Sequence, residues 1–204
     1  MAPKIVDKEV KKMEIVHAAI KVFSEKGMVK AKMVDIAREA GIGKGTIYEY
    51  FRSKEDVFAS GFQIFFQAMQ DQIETAISST SDPVEKLRLL ITVSFKSFLQ
   101  HGSDLAMIMM DFWAEGIRNK DEKILDAVDL RKIYYEFRVI ITSIIDNGIK
   151  KGVFRPVDSH HVASLLIGAL DGVMLQWIMD HKAIDLEKIT DSVIDLFINC
   201  LYKK

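Results

Sequence analysis

Asp35-Ile36-Ala37-Arg38-Glu39-Ala40-Gly41-Ile42-Gly43-Lys44-Gly45-Thr46-Ile47-Tyr48-Glu49-Tyr50-Phe51-Arg52-Ser53-Lys54-Glu55 is the stretch whose reading decides the fold. Ile36, Ala37 and Ala40 fall on one face of a short helix expected over Met33 to Ala40. Gly41-Ile42-Gly43 then makes a tight turn, with Gly41 free to take the left-handed backbone. Lys44 to Phe51 reads as a second short helix, fixed on its neighbours by Ile42, Ile47 and Phe51. That leaves Lys44, Thr46, Tyr48, Glu49 and Tyr50 around its outside as hydrogen-bonding groups. Gly45 keeps the helix start bare, so its amides can approach a phosphate or base edge. Ser53-Lys54-Glu55-Asp56 reads as a capping box opening a long fourth helix, where charge and helix dipole place Lys54 well for a phosphate.

Upstream, Met13, Val16, Ile20 and Phe23 form an apolar stripe on a helix from about Asp7 to Lys26, with Gly27 as its C-cap. Three helices with a glycine turn between the last two make a helix-turn-helix. Downstream, Phe58, Phe62, Phe65, Phe66, Met69 and Ile73 line the fourth helix, which the serine-rich run at 78–81 ends. Asp82-Pro83-Val84-Glu85 starts the next helix, with Asp82 as N-cap and Glu85 closing the box, and it ends near His101-Gly102. Further helices are expected over Ser103 to Gly116, Asp121 to Lys151, from Asp158 to about Asp180, and from Asp185 onward. The expected architecture is all-α. Nine helices are divided into an N-terminal three-helix domain at 1–52 and a helical ligand-binding and dimerisation bundle at 53–204.

The whole chain carries a formal charge of −1, but residues 1–56 hold twelve Lys/Arg against nine Asp/Glu, and the remainder sixteen against twenty. A basic head on an acidic body suits a head that meets phosphates. The single cysteine, Cys200, permits no internal disulfide and reads as a small buried residue; a reducing cytoplasm fits it. No signal peptide is evident. The most apolar tract, Val162 to Met179, contains Ser164, Asp171 and Gln176 and reads as a buried helix rather than a membrane span.

The 35–55 stretch resembles the signature of the TetR family of regulators across about twenty consecutive residues, with the turn, the aromatic pair and the Ser-Lys-Glu in place. Beyond residue 60 the resemblance is one of helix count and length. It implies that Lys44, Thr46, Tyr48, Tyr50 and Lys54 contact operator DNA, mostly its backbone. Gly45 lies at the close approach, and Glu49 falls at a variable position able to accept from a cytosine amino group. Lys32 stands where a Ser or Thr cap is usual, losing the cap and gaining a phosphate-facing cation. Gly43 likewise stands where a capping Ser is usual. Tyr50 equally suits partial burial.

The remaining 150 residues are expected to dimerise and regulate the head. The last two helices carry Leu165, Gly168, Gly172, Met174, Leu196 and Phe197, with the two glycines one turn apart; the resemblance implies that these helices pair with their mates in a four-helix interface. An effector chamber is expected from Phe62, Phe66, Met69, Phe95, Met107, Met110, Trp113, Tyr134, Phe137 and Trp177, since methionine and aromatic walls adapt to varied shapes. Its ligand is expected to be apolar, such as a long-chain acyl compound or a hydrophobic aromatic, with Arg138 facing an anionic end. Asp171 suits either a ligand or a bond to a neighbouring helix, the latter favoured. Asp111, Glu115 and Arg118 share one helix face as a solvated network. His160 and His161 diverge by about 100° on a helix and share no metal easily. No catalytic arrangement, metal site or cofactor motif stands out. The competing readings are an all-α enzyme or carrier with the head as scaffold, and a non-specific architectural DNA protein, which calls for a more basic chain.

Overall fold

The structure, a computed structural model, describes residues 8–119 and 128–202, without the side chains of 101, 102, 112, 113, 115, 116 and 119. Nine α-helices are present among the described residues: α1 (Lys8–Lys30), α2 (Met33–Glu39), α3 (Lys44–Ile47), α4 (Lys54–Ser78), α5 (Pro83–Ser97), α6 (Ser103–Asn119), α7 (Leu130–Lys150), α8 (Ser159–Met179) and α9 (Leu186–Leu201). A π-helical turn at Phe98–Gly102 carries the chain from α5 into α6, where the sequence suggests a simple break. The expected start of the seventh helix near Asp121 lies outside the described residues.

The chain divides into two compact units, Met1–Phe65 with Gly102–Asp129, and Phe66–His101 with Leu130–Lys204. In the first, α1 lies against α2 and α6, and α2 against α3. Its core is Ile15, Val16, Ala19, Val22 and Phe23 of α1 with Ile36, Ile47, Phe51, Val57 and Phe58. Phe23 meets Phe58 edge-on at 6.4 Å. The stripe on α1 is thus centred on Ile15, Ala19 and Val22; Met13 and Ile20, expected at its centre, are only half-buried at its margins.

Gly27 ends the regular run of α1, as expected. Its φ of +73° and ψ of 157° bend the chain, and one more turn follows to Lys30. The third helix is shorter than expected. After Ile47 the amides of Tyr48, Glu49 and Tyr50 bond three residues back, to Gly45, Thr46 and Ile47, so a single α-turn tightens into a narrower coil before Phe51.

In the second unit α7 lies against α8 and α5, and α9 against α5. Leu87, Leu90, Ile91 and Phe95 of α5 are buried with Ile141, Ile144 and Ile145 of α7, and with Leu166, Leu170, Ile194 and Ile198 of the last two helices. Aspartates supply the caps where expected: Asp82 accepts from the Val84 amide (3.0 Å), Asp158 from His161 (2.9 Å), and Asp185 from Glu187 and Lys188 (3.2 Å each). Glu85 faces Arg88 at 3.7 Å.

Two features were not expected. Phe154 pairs with Tyr202 in a single antiparallel bridge, where the Arg155 amide donates to the Leu201 carbonyl at 2.9 Å. The Arg155 Nε donates to the Cys200 carbonyl at 2.7 Å, and Cys200 is exposed rather than buried, because it falls on the outer side of α9. At the end of α7 the carbonyl of Gly148 accepts from both Val153 and Phe154, folding the chain back so tightly that the Phe154 ring fills the space beside Gly148. A Cβ at 148 would lie 2.0 Å from the Phe154 Cδ2. Phe154 is 1% exposed, so its ring has nowhere to go. Gly148→Ala is expected to cost about 1–3 kcal/mol by overpacking, read as a lowered midpoint in urea unfolding with an unchanged slope.

Candidate nucleic-acid interface and effector site

The turn after α2 closes by two backbone bonds, Ile42 N–H to Ala37 O (2.9 Å) and Gly41 N–H to Arg38 O (3.2 Å). This is the Schellman pattern, and it requires the positive φ of Gly41, +65°. It delivers α3 with Ile47 completely buried and Lys44, Gly45, Tyr48 and Glu49 exposed, Tyr48 at 49%. Thr46 and Tyr50 are half-buried, so Tyr50 divides itself between core and surface. Gly43 caps α3 with extended backbone and no side chain, which leaves the first amides of α3 accessible.

Lys32 is exposed at the start of α2. The cap that the sequence loses there is half restored: Asp35 accepts from the Lys32 amide at 3.1 Å and pairs with Lys26 at 2.8 Å. The Lys26 hydrogen bond, aided by the Lys32 amide, holds the Asp35 carboxyl below the usual carboxylate range. Lys54 has other employment than the surface. Its ammonium donates to the carbonyls of Met28 (2.7 Å), Val29 (3.2 Å) and Ala31 (3.2 Å). Asp111, read in the sequence as part of a solvated network, accepts from the Met28 amide at 3.3 Å. Nothing local could signal that pairing, because 83 residues separate the partners.

The residues expected to line an effector chamber fall in both units. Phe62, in the first, is buried and meets Phe58 at 5.8 Å. Met107 and Met110 are exposed at 48% and 44%, because Leu105, Ile108 and Met109 take the buried positions of α6. The side chain of Trp113 lies outside the described residues. In the second unit Met69 and Phe95 are buried, Phe66 meets Phe137 edge-on at 6.2 Å, and Trp177 lies between Phe98 (5.8 Å) and His181 (6.2 Å).

Two polar bonds cross between α7 and α8. Tyr134 donates to Asp171 at 2.9 Å, which is the helix-to-helix bond favoured for Asp171, and Arg138 Nε donates to Ser164 at 3.0 Å. Arg138 also lines a surface groove of about 440 Å³ with Tyr135, Val139, Thr142, Asn147 and Lys150.

The tract at 162–179, read as a buried helix, is buried only along one face. α8 is long and apolar enough to cross a membrane, yet Leu165, Leu175 and Met179 are exposed at 67%, 43% and 76%. A Cβ at Gly168 or Gly172 meets nothing within 4 Å. Met174 of α8 is half-buried; on α9 Leu196 is exposed at 71% and Phe197 is half-buried.

Burial pushes the Asp171 carboxyl above its ordinary range, against the pull of the Tyr134 hydroxyl, although the residue still reaches solvent. Burial, then the Asp171 charge, pushes the Tyr134 hydroxyl up in turn. A carboxyl raised on folding loses stability as pH climbs through and past its ordinary value. Asp171→Asn, which keeps an acceptor for Tyr134, is therefore expected to melt higher than the parent at pH 7. The gap should close below about pH 4, where both carry no charge at this position.

Residues 15–60 match the family described as bacterial regulatory proteins, tetR family, and residues 62–200 match the YsiA-like protein C-terminal region. The chain is 28% identical over 198 residues to the fatty acid metabolism regulator protein of Bacillus subtilis strain 168, covering 97% of this chain and 98% of that protein. It is 27% identical over 211 residues to the HTH-type transcriptional regulator BetI of Proteus mirabilis strain HI4320, covering 99% and 98%. The crystal structure of the transcriptional regulator FadR from Bacillus subtilis in complex with stearoyl-CoA superposes with a TM-score of 0.74 at 26% identity, covering 93% of this chain and 99% of that one. With its turn-mounted α3 and helical C-terminal unit, the chain belongs to the TetR family of bacterial regulatory proteins and is a DNA-binding transcriptional regulator.

Proposed function

We propose that the protein is a homodimeric repressor in the bacterial cytoplasm that leaves its operator when a long-chain acyl compound binds. The observation that carries the DNA half is the exposed start of α3, where Lys44, Gly45, Thr46 and Tyr48 surround accessible amides on a helix held rigidly by Ile47. Lys44, Thr46, Tyr48 and Tyr50 then contact backbone phosphates, Lys32 joins them from α2, and Glu49 reaches base edges. Two such helices enter successive major grooves about 34–36 Å apart.

The dimer half rests on the exposed apolar stripe of α8 and Leu196 of α9. Bare apolar surface of this kind marks an interaction face, and Gly168 and Gly172 permit close approach of a second helix. The acyl assignment is supported by the fatty acid metabolism regulator and by the stearoyl-CoA complex of the relative, and by the Phe66–Phe137 and Phe98–Trp177 pairs in this chain. Arg138 offers a cation to an anionic end. Regulation requires binding but no turnover, so no enzymatic activity is assigned.

Tyr48→Ala and Lys44→Ala should each weaken binding to a fragment from the protein's own promoter while melting temperature and dimer persist; wild-type affinity in both variants, by gel shift, would remove the DNA assignment. Gly172→Glu should give monomers in sedimentation velocity. Stearoyl-CoA should raise the melting temperature with concentration and weaken DNA binding by the factor by which DNA weakens its own binding. Stabilisation and DNA release by choline or cationic dyes alone would reverse the ligand assignment.

A further inference from the structure

The bend between α1 and α2 is gripped from two sides. From the start of α4, the three N–H donors of the Lys54 ammonium are matched by three carbonyls, those of Met28, Val29 and Ala31. Carbonyls at a helix C-terminus lack helical partners, and a cation there is further favoured by the helix dipole. From α6, the Asp111 carboxylate takes the Met28 amide at 3.3 Å and lies 3.2 Å from where a Cβ on Gly27 would sit. Gly27 itself holds a φ of +73°. An ammonium, a carboxylate and a glycine therefore set the direction in which the chain leaves α1. That direction places α2, and through the Gly41 turn it places α3.

We infer that Lys54 and Asp111 are positioning residues for operator binding, which act by fixing the α1–α2 bend through Met28, and that Lys54 neutralises the protein's own carbonyls rather than a DNA phosphate. This rests on the DNA-binding reading above. The two roles for Lys54 differ in a measurable way. A lysine on a phosphate displaces condensed counterions, so its removal makes the salt dependence of binding shallower by about one unit in the log–log slope. A lysine clamped on carbonyls displaces none.

Lys54→Met, Lys54→Arg, Asp111→Asn and Asp111→Leu are titrated against the promoter fragment that the wild type binds, at several salt concentrations, with thermal unfolding recorded for each. Lys54→Met should lose tenfold or more in affinity at every salt concentration with the slope unchanged. Lys54→Arg should lose similarly, because a planar guanidinium cannot offer three diverging donors to three carbonyls, although it serves a phosphate at least as well. Asp111→Asn keeps the acceptor and should keep the affinity; Asp111→Leu should lose tenfold with the slope unchanged. Affinity lost by protein still folded at the assay temperature separates positioning from mere stability. A slope shallower by about one in Lys54→Met, or full affinity in Lys54→Arg, overturns the role given to Lys54. Wild-type affinity in Asp111→Leu overturns that given to Asp111. If Lys54→Met does not fold, Lys54→Arg and the Asp111 pair decide on the same criteria. A wild type that binds no fragment of its promoter instead defeats the DNA-binding reading, and the inference falls with it.

Discussion

A helix of four residues has no stability of its own, since nucleation alone costs more than its few hydrogen bonds return. α3 exists because Ile47 is completely buried and Phe51 nearly so, at 7%. These two anchors tie the surface proposed to meet DNA to the core built on Ile15, Val22 and Phe23. Every exposed group of α3 inherits its position from them. Polar residues on such a helix are free to vary without unfolding it, because none of them holds it in place.

The same division of labour recurs in the second unit with the opposite outcome. There the core positions of α5, α7 and α9 are filled, yet α8 carries more apolar side chain than one chain can cover. Leu165 and Met179 are left exposed by their own chain while Leu166 and Leu170 are buried. Two polar bonds, Tyr134 to Asp171 and Arg138 to Ser164, fix the register of α7 on α8. Burial pushes the Asp171 carboxyl above its ordinary range, and the Tyr134 bond draws it part of the way back.

Local chemistry was legible in the sequence and distant chemistry was not. Asp82, Asp158 and Asp185 mark helix starts because a cap acts within three residues, and Gly41 marks a turn because its backbone angle is a property of one residue. The family was equally legible, being carried by one continuous stretch. The length of α3 was not, because the tightening after Ile47 trades one hydrogen-bond pattern for another without any change in residue type. The phase of α1 is not legible either, since Met13 and Ile20 are as apolar as Ile15 and Val22 and only the neighbouring helices choose between them. Which side chains of α6 face inward is likewise not legible in a methionine-rich run; the buried face falls to Leu105, Ile108 and Met109. The grip of Asp111 on Met28 joins residues that only the fold brings together.

The exposed Cys200 has a practical consequence. It is the only cysteine in the sequence, and it sits on α9, whose end is held by the Arg155 and Phe154 contacts with residues 200–202. A spin label or dye attached to its thiol therefore reports from a rigid point, one per subunit, without any background thiol to remove. In a symmetric pair the two labels would form a molecular ruler, and the distance between them, followed as effector or DNA is added, would measure the movement of one subunit against the other.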